Sequence, residues 1–147
     1  MSGYWGNPTW ILLHTISVKI SEETYNNTKG EILNIIKTLF SCLPCMICMR
    51  HANNYTKHLS VNTIPSKEHF IKYLFDFHNN VNQKINKPLY DFNKLDEYKN
   101  NNIFNAFNTF AHTITSTRGF DFFNDTNKRN AVKLIGDYLK RNLKDFT

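Results

Sequence analysis

Apolar residues recur every three or four positions along most of this chain, and that spacing predicts helices nearly throughout. Residues 8–20, PTWILLHTISVKI, hold the first such pattern, with Pro8 tolerated in an opening turn. In residues 28–41, TKGEILNIIKTLFS, the stripe is Ile32, Ile35, Ile36, Leu39 and Phe40. Pro44 then reads as the first residue of a helix running to about Leu59. VNTIPS is a loop, and Ser66 is the N-cap of a long helix from Lys67 to about Asn86, which Pro88 ends. A short helix is expected over 93–99 and an apolar, aromatic one over 103–114. Gly119 breaks the pattern before a last amphipathic helix over 125–145, carrying Val132, Leu134, Ile135, Tyr138, Leu139 and Leu143. No segment alternates convincingly with the period of a strand, and there is no internal repeat. The fold class is all-α, and the apolar stripes read as core-facing.

Composition narrows the function. A chain of 147 residues fits one domain and can bury roughly two-thirds of its unfolded surface. With 41% hydrophobic and 14% aromatic residues, wholesale disorder is excluded. The longest apolar run, WILLHTISVKI, falls short of the ~20 residues a membrane span needs and is broken by His14, so no span is predicted. A charged, apolar and small-residue leader pattern is missing, and no secretory signal is predicted. The net charge of +6 reads first as a Lys-rich solvated surface. Without a run of five Lys/Arg or a binding signature, no nucleic-acid partner is predicted. The three cysteines all fall within seven positions, which suits a site better than a disulfide scaffold.

That cluster is CLPCMICMRH, with Cys42, Cys45, Cys48 and His51 three residues apart. On a helix, steps of three drift by about 60° and rise about 4.5 Å, so the first and last side chains sit about 13 Å apart on opposite sides. They cannot converge on one tetrahedral zinc, although histidines elsewhere (His14, His58, His69, His78 or His112) could complete a site. A redox pair needs only two cysteines. Residues i and i+3 on a first turn have Cα atoms about 5–6 Å apart, within disulfide range. With Pro44 at the helix start, Cys45 lies in the first turn, where the dipole and unpaired N–H groups stabilise a thiolate, and Cys48 follows a turn later. A zinc site, a redox pair and unreactive structural cysteines all remain open from these residues alone. A redox pair used repeatedly also needs a cofactor to take two electrons.

A second cluster, HNNVNQKINKP over 78–88, sets His78, Asn79, Asn82, Lys84 and Lys87 beside an apolar stripe of Phe70, Leu74, Phe77, Val81 and Ile85. Such a face suits a flat aromatic cofactor carrying phosphates; a plain solvated face is the alternative.

Three segments in order, WGNPTWILLHTIS, LPCMICMRHANNY and FHNNVNQKINKPLYD, resemble the signature segments of the Erv/ALR family of FAD-linked sulfhydryl oxidases, most of all its viral members. The resemblance spans roughly residues 4–99. It implies a four-helix bundle with a short extra helix, over 1–99, that holds FAD and forms a homodimer. It implies that Cys45 and Cys48 form the catalytic disulfide, with Cys45 attacked by the incoming thiol and Cys48 facing the flavin. Electrons would pass to O2 with release of hydrogen peroxide. Gly6, Trp10, His14, Cys48, His78, Asn79, Val81, Asn82, Lys84, Lys87, Tyr90 and Tyr98 would bind the cofactor, and no metal is expected. The partner would be a dithiol protein, either a thioredoxin-like relay or a virion protein, in host cytoplasm or the virion if the chain is viral. A non-enzymatic helical interaction or zinc-binding module is the rival reading.

The chain departs from the family pattern in three ways. It has no second, shuttle cysteine pair, so a separate dithiol protein is expected to reduce Cys45–Cys48 directly. Phe92 stands about where some relatives carry a stapling cysteine, and Cys42 is extra. Residues 100–147 have no counterpart, and are expected to be helices packed on the bundle or at a dimer interface.

Overall fold

The first helix is apolar on nearly every side, and the fold is arranged around it. The computed structural model describes residues 4–146, which form six α-helices and two short 3-10 segments. Helix α1 (Gly6–Lys19) buries Trp10, Leu12, Leu13, His14, Ile16 and Val18, together with Thr9, Thr15 and Ser17. A helix buried all round must be covered on all sides. Here α4 (Lys67–Lys84), the 3-10 segment Phe92–Asn100 and α5 (Ile103–Ser116) all pack against it. Its buried hydroxyls find partners: Thr9 Oγ1 donates to Trp5 O at 2.7 Å, Ser17 Oγ to His14 O at 2.9 Å, and Asn101 Nδ2 donates to Thr15 Oγ1 at 3.2 Å.

Helix α2 (Glu22–Phe40) begins six residues earlier than the apolar stripe predicts. Ser21 caps it by accepting from Thr24 N–H, and Glu22 and Glu23 favour its positive end. The polar run NNTK, with Asn26 and Asn27 exposed, hides this start from a hydrophobic pattern. Its inner face buries Tyr25, Ile32, Ile35, Ile36, Leu39 and Phe40.

Helix α3 (Met46–Tyr55) is shorter at both ends than expected, because Cys45 rather than a residue before Pro44 is the N-cap. A helix starting at Pro44 would need Leu43 as its cap, and leucine has no acceptor. Cys45 has one: its Sγ accepts from Cys48 N–H at 3.3 Å.

Helix α4 (Lys67–Lys84) starts at its predicted cap, Ser66, which accepts from His69 N–H. It ends two residues before the expected Asn86. Asn86 takes a left-handed φ of 58°, a conformation Asn tolerates at helix ends, and Lys87 N–H donates to Asn82 O at 2.8 Å.

Helices α5 (Ile103–Ser116) and α6 (Phe122–Arg141) complete the molecule, followed by the 3-10 turn Leu143–Asp145. Helix α5 lies on α1, α6 lies on α2, and the two pack on each other. Gly136 permits the last contact, since a Cβ there would stand 3.1 Å from the Phe107 ring. No strand occurs among the described residues. No described helix is long and apolar enough to cross a membrane.

Candidate active site

The N-terminus of α3 carries the two half-buried cysteines of the predicted pair. Cys45 caps the helix and Cys48 sits on its first turn, so the Cys45 sulfur lies at the positive end of the dipole. Cys42 is different. It is fully buried, its thiol donates to Leu39 O at 3.1 Å, and burial pushes its pKa up to about 12, against the pull of the Lys128 ammonium. A thiol held protonated there is a poor nucleophile. Among the described residues, no group of three or more His, Cys, Asp or Glu could hold a metal ion.

Cys48 opens onto a cavity of about 220 Å³ between α3 and α4. Ile47, Cys48 and His51 line it from α3, and Phe77, Val81, Lys84 and Ile85 from α4 and its C-cap. Cys45 is not part of this wall. The cavity is apolar with a few convergent polar groups, the pattern of a site for a flat organic ligand. His51 is fixed across it by its Nε2–H, which donates to Asn80 Oδ1 at 2.8 Å. Burial lowers the His51 pKa, and the bond to Asn80 opposes that shift.

A second constellation lies where α1, α4 and the 3-10 segment meet. Trp10 stacks on His78 with ring centroids 4.2 Å apart and planes 7° from parallel. His14 stacks on His78 and approaches Tyr98 at 5.0 Å, while Tyr90 stands 6.1 Å from His78. His14 Nε2 and His78 Nδ1 are 2.9 Å apart and share one proton. Both imidazoles are neutral. Burial, then the neighbouring His78, lowers the His14 pKa to about 3; burial first, and repulsion from positive charges that include Lys87, lowers that of His78 to about 4. His14 Nδ1 is buried with no hydrogen-bond partner in the protein. Such an orphan is uncommon and signals a missing partner. Tyr90 and Tyr98 also line a hollow of about 280 Å³ with Ile11, Glu97 and Asn101.

The remaining predicted residues divide by role. Cys48, Val81 and Lys84 meet at the cavity, and Trp10, His14, His78, Tyr90 and Tyr98 meet in the aromatic group. Asn79 clamps the main chain of Tyr90, donating to its carbonyl at 3.1 Å and accepting from its N–H at 2.7 Å. Asn82 is buried and donates to Asn79 Oδ1 at 3.4 Å. Gly6 is buried as the first residue of α1, and Lys87 is exposed beyond the α4 C-cap. Sequence reasoning placed Phe77 and Ile85 on the apolar stripe of the cofactor face but did not single out Ile47 or His51 as parts of this wall. Position i+3 from Cys48 was the available signal for His51, which was weighed only as a metal ligand.

A model of the Erv1/Alr family matches residues 7–101, which takes in α1 to α4 and the 3-10 segment. The chain belongs to the Erv1/Alr family. Relatives named as members of this oxidase group agree. The African swine fever virus (isolate Pig/Kenya/KEN-50/1950) protein named FAD-linked sulfhydryl oxidase is 34% identical over 99 residues, covering 66% of this chain and 78% of the viral protein. A putative FAD-linked sulfhydryl oxidase of invertebrate iridescent virus 3 is 29% identical over 57% of each chain. The Saccharomyces cerevisiae mitochondrial FAD-linked sulfhydryl oxidase ERV1 is 28% identical over 60% of this chain and 46% of its own length. No solved structure matches the chain. Helices α5 and α6 lie beyond the stretch that the Erv1/Alr family model covers.

Proposed function

We propose that this chain is an FAD-linked sulfhydryl oxidase that forms disulfide bonds in a partner dithiol protein. The observation that carries the reading is the placement of one cysteine of the pair, Cys48, in the wall of an apolar cavity while its partner, Cys45, caps the helix outside that wall. Membership of the Erv1/Alr family supports it.

In the oxidised form, a substrate thiolate attacks Cys45 Sγ of the Cys45–Cys48 disulfide. The S–S bond breaks, Cys48 leaves as a thiolate, and a substrate–Cys45 mixed disulfide forms. The second substrate thiol, once deprotonated, attacks the substrate sulfur and releases Cys45. The substrate departs oxidised by two electrons, and Cys45 and Cys48 hold both. When bound, FAD would supply the two-electron chemistry linking the Cys45–Cys48 dithiol to O2, so that two thiols and O2 give one disulfide and hydrogen peroxide. The residues present fit that group. Ile47, Phe77, Val81 and Ile85 give a flat ring an apolar wall. Lys84 and His51 offer polar edges to it, and the orphaned His14 Nδ1 offers a hydrogen-bonding atom beside the Trp10–His78 stack. Gly6, Asn82 and Lys87 belong to the same proposed cofactor surround, and Asn79 acts in it by seating Tyr90. The oxidase unit covers 1–99 and works as a homodimer, with 100–147 as an added helical layer.

The deciding experiment is a visible absorption spectrum under nitrogen, before and after dithiothreitol. A flavin band that bleaches with dithiol and returns in air is expected for the native chain. In Cys48→Ser the band is expected to remain and to resist bleaching, with oxygen uptake lost. A folded protein that takes up no FAD would refute the reading.

A further inference from the structure

Phe122 and Phe123 open α6 with both side chains 73% exposed, their rings set edge to face 6.0 Å apart. Phe120, just before them, is 38% exposed. Grouped exposed aromatics of this kind mark interaction surfaces.

The group is held, not frayed. Asp121 caps α6 by accepting from Asn124 N–H at 2.7 Å. Asp125 Oδ1 accepts from Gly119 N–H at 2.8 Å and pairs with the buried Lys128 ammonium at 2.9 Å. Lys128 also donates to Thr117 O. Gly119 has no room for a side chain, because a Cβ would fall 2.2 Å from Asn124 Oδ1. This network fixes the turn that carries the three phenylalanines.

It also fixes where they stand. Asn124 is buried, and its Nδ2 donates to Leu43 O at 3.0 Å, two residues before Cys45. Chain geometry then keeps the Cα of Phe123 within about 20 Å of that of Cys45. A protein docked on a target covers about 800 Å² of it, a patch roughly 30 Å across. A single docked patch of that breadth has room for both Cys45 and this aromatic group.

We propose that Phe120, Phe122 and Phe123 form the docking surface for the dithiol polypeptide that reduces Cys45–Cys48, and that they select a polypeptide with aliphatic or aromatic residues beside its cysteines. The inference rests on the thiol-oxidase reading above. It gives α6, which lies outside the matched family region, a role at the mouth of the site.

The test uses the full-length flavoprotein and two reduced Cys-Gly-Pro-Cys peptides, one flanked by Leu and Phe and the other by Ser. Dithiothreitol is the small-molecule reference. The native chain is expected to show a kcat/KM for the apolar peptide at least tenfold above that for the Ser peptide. Phe122→Ser/Phe123→Ser is expected to remove most of that preference through KM, and Phe122→Leu/Phe123→Leu to keep it. An equal kcat/KM for the two peptides in the native chain overturns the inference, as does a preference that survives the Ser variant. Sedimentation that shows the Ser variant losing a dimer, with the peptide preference intact, assigns the patch to a second copy and overturns it too. Failure of the FAD-loaded native chain to oxidise dithiothreitol is a different result, and it removes the thiol-oxidase reading itself.

Discussion

At the scale of single residues, three cysteines of similar sequence setting have three different environments. Cys42 is sealed in the core, Cys45 caps a helix and Cys48 faces a cavity. Their chemistry follows from what surrounds each sulfur, not from the repeated spacing. The same rule governs the two histidines. His14 and His78 have folded-state pKa values of about 3 and about 4, below the ordinary 6.5, because burial penalises the imidazolium. Below pH 6.5 the unfolded chain binds protons that the folded chain refuses, so stability is complete above that value and falls as pH drops toward 4. Each histidine contributes a slope of at most about 1.4 kcal/mol per pH unit in this window. His51, also lowered by burial, acts in the same sense. Urea midpoints measured at pH 7.5, 5.5 and 4.5 are expected to decline steadily; a flat profile across that range would mean the pair is protonated in the folded state.

At the scale of elements, the site is assembled by helix ends. The α3 N-terminus presents the cysteines, and the α4 C-terminus turns on Asn86 so that Tyr90 comes back beside His78. Asn79 holds that return with both ends of its amide. Asn79→Ala leaves the Tyr90 main-chain pair without these partners and is expected to cost about 1–3 kcal/mol. The loosened Tyr90 and Tyr98 should also release flavin at lower temperature, read as the onset of free-flavin fluorescence on heating. Unchanged release with lowered stability would confine Asn79 to the fold. These helix ends were the least legible part of the sequence. Apolar periodicity identified α1, α4, α5 and α6 because each buries a continuous stripe. It missed the first six residues of α2, whose start is encoded by a cap and two acids. It misplaced the start of α3 because the usual role of proline at a first turn was weighed without asking which neighbour could accept an N–H. Among the site residues, motif spacing led to Cys45, Cys48, His78 and Lys84. It named Phe77 and Ile85 only within a longer apolar stripe and did not lead to Ile47, since an apolar side chain facing a cavity and one facing the core look alike in sequence.

At the scale of the whole molecule, the family-matched stretch and the folding unit differ in extent. The match ends at residue 101, yet α1 is covered on one side by α5, and α2 by α6. Ile103, Phe110 and Ile114 from α5, and Ile135, Tyr138 and Leu139 from α6, are all buried. The Arg141 guanidinium pairs with Glu31 on α2, and Tyr138 and Thr28 share a hydrogen bond of 2.8 Å between α6 and α2. Six large apolar side chains contribute on the order of 10 kcal/mol of burial at about 1.5–3 kcal/mol each, and the surfaces they cover on α1 and α2 are of similar size. That is comparable to the ~5–15 kcal/mol by which a domain is stable in total. A chain ending at residue 101 is therefore expected to keep the cysteines and the cavity residues yet fail to fold cooperatively. Circular dichroism should show a broad, shallow thermal transition in place of a single sharp one, and FAD should not be retained through gel filtration. A truncated chain that melts sharply and holds flavin would show that α5 and α6 are dispensable to the bundle. Their place in the molecule would then rest on the surface they present beside Cys45.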